Sequence, residues 1–274
     1  MTDPRRLIAP LFAPADRPER FAKADASGAD AIIIDLEDAV APDRKAFARN
    51  CLKNARKLSA RIFVRINAPN TPWHEDDIEA LADLPHIGIV LPKAESSDQI
   101  LTINEKLGSG RSVIALIESA RGIVSACQIA ETPCVHQLAF GPIDYSLDLF
   151  ISPNPEASAH ALSMLAVASR AAGLPGPLDG PCLDLTGDET IHLELARARD
   201  LGAGGKLCVH PNQIAKIIAG FAPTTGELSR ARQILTSGHE LGARAIDGRL
   251  VDRPIVEWAE RIVGRADSGI SNPI

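Results

Sequence analysis

The sequence predicts an α/β protein: a (β/α)8 barrel of the TIM type with a C-terminal helical extension. Three observations lead there. Short aliphatic runs of strand length alternate with segments of helical period, eight times over roughly 220 residues, which is the count a closed barrel needs. The runs are nearly continuous rather than alternating, as in strands buried on both faces of a parallel sheet. Several runs end on a charged residue, and in parallel α/β proteins the C-terminal strand ends form the working face. The competing architecture is an open doubly wound sheet. It usually has fewer strands, and a dinucleotide-binding one would carry G-x-G-x-x-G after a strand. Neither that pattern nor G-x-x-x-x-G-K-[ST] occurs.

In order, residues 7–13 read as the first strand, followed by a turn and a helix to about residue 27, with Asp16 as its cap and Pro18 in its first turn. Strand two spans 31–36 and its helix 42–58. Strand three spans 61–66, with a short helix at 76–84. Strand four, 87–91, precedes a helix at 96–107. Strand five, 113–117, is the clearest: five apolar residues end on Glu118, and Ser119 caps the helix 120–131. Strand six, 137–140, leads into Gly141-Pro142-Ile143-Asp144 and then a helix at 156–172, which Gly173 and Pro175 stop. Strand seven, 177–183, is weak; its helix is 189–201. Strand eight, 206–209, is followed by His210-Pro211 and a helix at 212–221.

The barrel domain is therefore placed at 1–222 and the extension at 223–274. The extension reads as a helix at 225–245, a turn-rich segment at 246–252, and a helix at 255–263 with Trp258 and Ile262 on its apolar side. Residues 264–274 read as a frayed end. Such a tail is expected to cover the barrel mouth, its own or that of a neighbouring subunit.

Composition narrows the function classes. The 274 residues are 45% hydrophobic and 23% charged, with a net charge of −6, ordinary for a globular protein and unsuited to nucleic acid as main partner. The polar start and the run of about seven apolar residues after it make neither a signal peptide nor a membrane span. The five cysteines (Cys51, Cys127, Cys134, Cys182 and Cys208) are odd in number and lack C-x-x-C spacing, so they read as thiols of a reduced compartment. The expectation is a cytoplasmic protein.

Charges gather at the strand ends: Asp35, Glu37 and Asp38 after strand two, Arg65 and Asn67 after three, Lys93 after four, Glu118 after five, Asp144 after six and His210 after eight. Glu118 is either a functional group or half of an ion pair, with Arg121 or with a neighbouring strand. Glu118 and Asp144, one βα unit apart, are two hard oxygen donors that suit Mg2+, with Mn2+ as an alternative. Zinc fits less well without a His/Cys cluster. Arg65 offers a fork for a carboxylate, or else a salt bridge to Asp35 or Glu37. Glu37 and Asp38 either support metal-bound waters or cap the next helix. Lys93 more simply pairs with an acid than forms a Schiff base.

With those residues in place, the chain resembles the citrate lyase β-subunit-like proteins of the HpcH/HpaI aldolase and citrate lyase superfamily. The motifs are Pro14-Ala15-Asp16-Arg17-Pro18, Asp35-Leu36-Glu37-Asp38-Ala39-Val40-Ala41-Pro42, Val64-Arg65-Ile66-Asn67, Leu91-Pro92-Lys93-Ala94-Glu95 and Ile117-Glu118-Ser119-Ala120-Arg121-Gly122. Phe140-Gly141-Pro142-Ile143-Asp144, His210-Pro211-Asn212-Gln213 and Gly248-Arg249-Leu250-Val251-Asp252-Arg253-Pro254 follow in the family's order. The resemblance implies Mg2+ on Glu118 and Asp144, supported by Asp35, Glu37 and Asp38. It implies substrate against Arg65, Pro142, Ile143 and Asp144, and a homotrimer or hexamer. It also implies that Asp252 acts catalytically from a neighbouring subunit; the residues alone make Asp252 a solvated cap. Pro142 stands where relatives often carry Ala or Ser, and removes a backbone donor.

The implied reaction is a Claisen-type cleavage, or its reverse, of a 3-hydroxyacyl-CoA such as malyl-CoA or citramalyl-CoA, giving an acyl-CoA and a 2-oxo acid. Arg17, Lys23 and Lys45 are the basic residues expected to meet the CoA diphosphate. A malyl-CoA-type thioesterase or a 2-oxo acid aldolase would use the same metal and Arg65. A non-catalytic barrel subunit or ligand sensor would be expected to lack one of them, and neither is lacking.

Overall fold

The computed structural model describes residues 6–108, 110–237, 244–246 and 248–267. The chain divides into two compact units, Arg5–Ile217 and one containing Ile218–Ile274.

In the first unit eight parallel strands follow one another in sequence order: β1 (Leu11–Pro14), β2 (Ile32–Asp35), β3 (Ile62–Arg65), β4 (Gly88–Leu91), β5 (Val113–Ile117), β6 (Val135–Phe140), β7 (Leu178–Asp179) and β8 (Gly205–Lys206). The last returns to the first. Lys206 N–H donates to Ile8 O (2.8 Å), Cys208 N–H to Pro10 O (2.9 Å) and Phe12 N–H to Cys208 O (2.8 Å). This curled eight-stranded sheet is consistent with a TIM-type barrel. Inward-facing Ile33, Phe63, Val90, Ile114, Leu116 and Leu178 share one buried cluster, so aliphatic burial rather than any single polar contact holds the sheet.

The helices between strands are α1 (Phe21–Asp25), α2 (Lys45–Cys51), α3 (His74–Leu81), α4 (Ser97–Lys106), α5 (Ala120–Ala130), α6 (Pro142–Leu149), α7 (Ala159–Ala171) and α8 (Asp188–Asp200); α9 (Ile214–Phe221) follows β8. Ser119 caps α5 as expected, its Oγ accepting from Gly122 N–H at 3.1 Å. Ser96 opens α4 with a capping box to Gln99.

Several expected boundaries shift, with local causes. β1 starts at Leu11 rather than residue 7: the Ile8 and Ala9 amides turn to the Asp30 carboxylate, and Pro10 has no amide to offer. Asp16 caps no helix; it pairs with Arg44 at 3.4 Å. The helix expected over 42–58 is two 3-10 turns flanking α2. β7 ends at Asp179, before Gly180 and Pro181. The next helix after strand six is expected only at 156–172, yet α6 follows β6 directly, with Pro142 at its first turn, where a missing N–H costs nothing.

In the second unit α10 (Thr225–Thr236) and α11 (Arg253–Asp267) flank a hairpin of β9 (Arg244–Ile246) and β10 (Arg249–Val251). Ala231, Ile234, Val251, Ala259 and Ile262 form their own core. The helix expected over 225–245 therefore stops at Thr236, and Ala245 is in a strand; 238–243 lie outside the described residues. Residues 264–267, expected to fray, are helical, and 268–274 lie outside the described residues. No helix among the described residues is long and apolar enough to cross a membrane.

Candidate active site

The site gathers at the C-terminal strand ends of the first unit. Glu118 follows the five buried residues of β5 and is 4% exposed. Its Oε1 accepts the Lys93 N–H at 2.8 Å. Asp144, in the first turn of α6, and Glu37, beyond β2, point toward the same place. All three acids surround one ammonium: Lys93 Nζ lies 3.4 Å from Asp144 Oδ1, 3.5 Å from Glu37 Oε1 and 3.9 Å from Glu118 Oε1. The cation beside Glu118 is thus Lys93; among the described residues Arg121 makes no ion pair with it.

One lysine does not settle three acids. Burial, then repulsion from Glu37 and Asp144, pushes the Glu118 carboxyl up to about 8. Burial also pushes Glu37 up to about 7, against the pull of Arg65. Glu37 Oε2 lies 3.0 Å from Arg65 Nη1 but out of line, and it is a buried oxygen with no hydrogen-bond donor.

Arg65, at the end of β3, spends its fork on Asp35. Nε donates to Asp35 Oδ1 at 2.7 Å and Nη2 to Asp35 Oδ2 at 2.6 Å, while Nη1 reaches Asp38 Oδ2 at 3.3 Å. Burial opposes the charge on Arg65, and Asp35, Glu37 and Asp38 outweigh it. The ion-pair reading of Arg65 is therefore realised, yet the guanidinium still borders the cavity, stacked over Phe12 at 4.9 Å. Asp35 in turn accepts the Glu37 and Ala39 amides, so it fixes the loop that carries Glu37. Neither Glu37 nor Asp38 caps the following 3-10 turn, whose cap position, Ala41, has no side-chain bond.

A cavity of about 920 Å³ is lined by Arg65, Glu118 and Asp144 with apolar Leu11, Phe12 and Leu116, while Glu37 and Lys93 line a smaller one of about 470 Å³. The donor set suits a hard divalent cation: it offers oxygen donors only, and burial raises the Glu118 carboxyl among them. Among the described residues no three acid, His or Cys side chains form a complete cage. Glu118 and Asp144 are two oxygen donors that could hold such an ion with positions left for water, the habit of Mg2+.

The family model for HpcH/HpaI aldolase/citrate lyase matches residues 9–211. The chain belongs to this family. A citrate lyase subunit beta-like protein of Mycobacterium tuberculosis is 38% identical over 269 residues, covering 95% of this chain and 96% of the relative. A (3S)-malyl-CoA thioesterase of Cereibacter sphaeroides is 31% identical over 270 residues, covering 94% of each. Among solved structures, protein CitE of Mycobacterium tuberculosis in complex with magnesium, acetoacetate and coenzyme A superposes with a TM-score of 0.84 at 36% identity, covering 96% of this chain and 98% of that one.

In this HpcH/HpaI-family chain the basic residues expected at a diphosphate do not act as a set. Lys45 is sealed inside: its ammonium donates to Leu36 O, Glu37 O and Asn67 Oδ1, each at 2.7 Å. All three N–H groups are spent, so its expected contact with CoA is corrected to a structural role. Lys23 does line the cavity, joined by Arg20, which the sequence reading passed over. The signal for Arg20 was present in the three-residue spacing of Arg17, Arg20 and Lys23. Arg17 is exposed and is not among the residues lining the cavity.

Pro142 and Ile143 line the cavity beside Asp144, and Pro142 packs on Gly180, where a Cβ would overlap its ring. Asp252, in the second unit, accepts the Ile255 N–H at 3.4 Å and so caps α11. Gly141 adds a contact that no side chain supplies. Its part is to let β6 pass against Glu118, and a glycine at a strand end is the readable sign of such an approach.

Proposed function

We propose that this family member is a Mg2+-dependent carbon–carbon lyase acting on a 3-hydroxyacyl-CoA of the malyl-CoA or citramalyl-CoA type. The observation that carries the reading is the convergence of Glu118, Asp144 and Glu37 on one cationic point, with Glu118 and Asp144 facing a large cavity that Arg65 also lines. Relatives with magnesium and coenzyme A, and others named for malyl-CoA, support the substrate class.

Glu118 and Asp144 would hold the ion. Bound there, the ion would supply Lewis acidity to the substrate's carboxylate and hydroxyl oxygens. Arg65, held by Asp35, would orient the carboxylate so that the carbon–carbon bond is aligned for cleavage. As the hydroxyl proton passes to solvent water, its O–H electrons form the new carbonyl of the departing 2-oxo acid; the electron pair of the broken bond passes to the carbon α to the thioester, and the resulting enolate takes a proton. Asp252, contributed from a neighbouring subunit of a trimer or hexamer, would give that proton. Arg20 and Lys23 would meet the CoA phosphates. The five free cysteines fit a cytoplasmic setting.

A thioesterase is the second reading, favoured by the relatives bearing that name over nearly their whole length. Malyl-CoA incubated with the protein and Mg2+ separates the two. The lyase releases glyoxylate and acetyl-CoA; the thioesterase releases malate and free CoA. EDTA should stop either. Asp252→Asn preserves an oxygen acceptor for the cap and should leave the melting temperature unchanged while slowing turnover about 10²–10⁴-fold, the range for a lost general acid. An enzyme active in EDTA would overturn both readings.

A further inference from the structure

We infer that Lys93 is the site's own counter-cation, standing where the divalent ion stands and moving out when that ion binds. The inference rests on the metal site proposed at Glu118 and Asp144. Lys93 Nζ is shared among three carboxylates at 3.4, 3.5 and 3.9 Å. Charge-assisted hydrogen bonds are shorter, so the ammonium is centred on the acids rather than committed to one. Glu118 and Asp144, the two ligands proposed for the ion, are among those three carboxylates, so ammonium and ion compete for the same oxygens.

The backbone gives the second reason. Lys93 has φ +48°, the left-handed region that disfavours a residue with a side chain. The hydrogen bond that its backbone N–H donates to Glu118 Oε1 would form equally well from a glycine, without strain. What glycine would lose is the ammonium, so the strained conformation is kept for the side chain.

Lys93 also has an exit. Its side chain is 44% exposed and lines a cavity of about 470 Å³ with Glu37, Asn67, Glu95 and Gln99, so the ammonium is open to water on a side that Glu118 and Asp144 do not line. Lys206 is the contrast: 3% exposed, clamped by Asp179 at 2.7 Å and Glu194 at 3.0 Å, it has no such freedom. Uptake of the divalent ion is then an exchange of one cation for another, and the acids are never left without a counter-charge. The ion's affinity is set in part by the lysine it displaces.

The test is calorimetric titration of Mg2+ into the full-length wild type, Lys93→Met, Lys93→Gly and Glu118→Gln. Both Lys93 variants should bind Mg2+ roughly tenfold or more tightly, the order expected for removing a unit charge a few ångströms away in a partly solvated site. Without the ion they should melt below the wild type, and saturating Mg2+ should erase the difference. Lys93→Gly relieves the backbone and carries the test if Lys93→Met does not fold. Mg2+ bound by the wild type but not by Lys93→Gly, or equally by both, with Glu118→Gln silent, would overturn the exchange and leave the metal site standing. Mg2+ bound unchanged by Glu118→Gln would overturn the metal site and the exchange with it.

Discussion

Gly141 and Glu118 approach so closely that a Cβ on residue 141 would overlap Glu118 Oε2 and lie 2.7 Å from Glu118 Cβ. The end of β6 thus fixes the carboxylate from one side, as the Lys93 amide does from another. Gly141→Ala should displace Glu118 while changing no titratable group. The expected result is a loss of Mg2+ affinity of about 10–100-fold, the scale for disturbed ligand support, read by titration with an unchanged circular dichroism spectrum.

The raised acids predict a pH dependence. Glu118 and Glu37 ionise near 8 and 7 in the fold, against an ordinary 4.5. Between those values the folded protein holds protons that the unfolded chain has released, so the site's contribution to stability falls as pH rises. In EDTA the melting temperature should decline from pH 5 to pH 8. That decline should flatten in Glu118→Gln and Glu37→Gln, and in the wild type with Mg2+. Parallel profiles for wild type and both variants would contradict the shifts.

Asp35 is expected to act through Arg65. Asp35→Asn keeps the shape but removes the charge on the fork. It should lower turnover by about 10–100-fold, the usual cost of losing an orienting partner, with Mg2+ affinity nearly unchanged. Arg65→Ala is harsher. It leaves Asp35 buried without its cation, at a cost of about 3–5 kcal/mol in unfolding free energy, measurable by urea denaturation.

The lysines of the site should separate cleanly. Lys45→Met strands three buried acceptors and should cost about 1–3 kcal/mol of stability. Its KM for a CoA thioester should hold. Arg20→Ala and Lys23→Ala should raise that KM, more at low ionic strength than at high, without moving the melting temperature.

Some of this is visible in local sequence. β5 is legible because five aliphatic residues in a row admit few alternatives to a buried strand, and Ser119 after Glu118 marks the next helix. α6 is not: its exposed Leu147, and Phe150 just beyond it, blur the apolar stripe that would announce a helix. The late start of β1 is hidden too, since it depends on Asp30 capturing amides more than twenty positions earlier.

By itself the sequence determined the order of the eight parallel strands and the acids that close particular strands, because periodicity and burial of short apolar runs are local properties. Only the tertiary structure decided that Glu37, Glu118 and Asp144 share one centre with Lys93 inside it, that Asp35 takes the Arg65 fork, and that Lys45 is sealed while Lys23 faces the cavity. Those outcomes depend on the register between neighbouring strands and on ångström distances between residues tens of positions apart, and electrostatics in a buried site is decided by those distances.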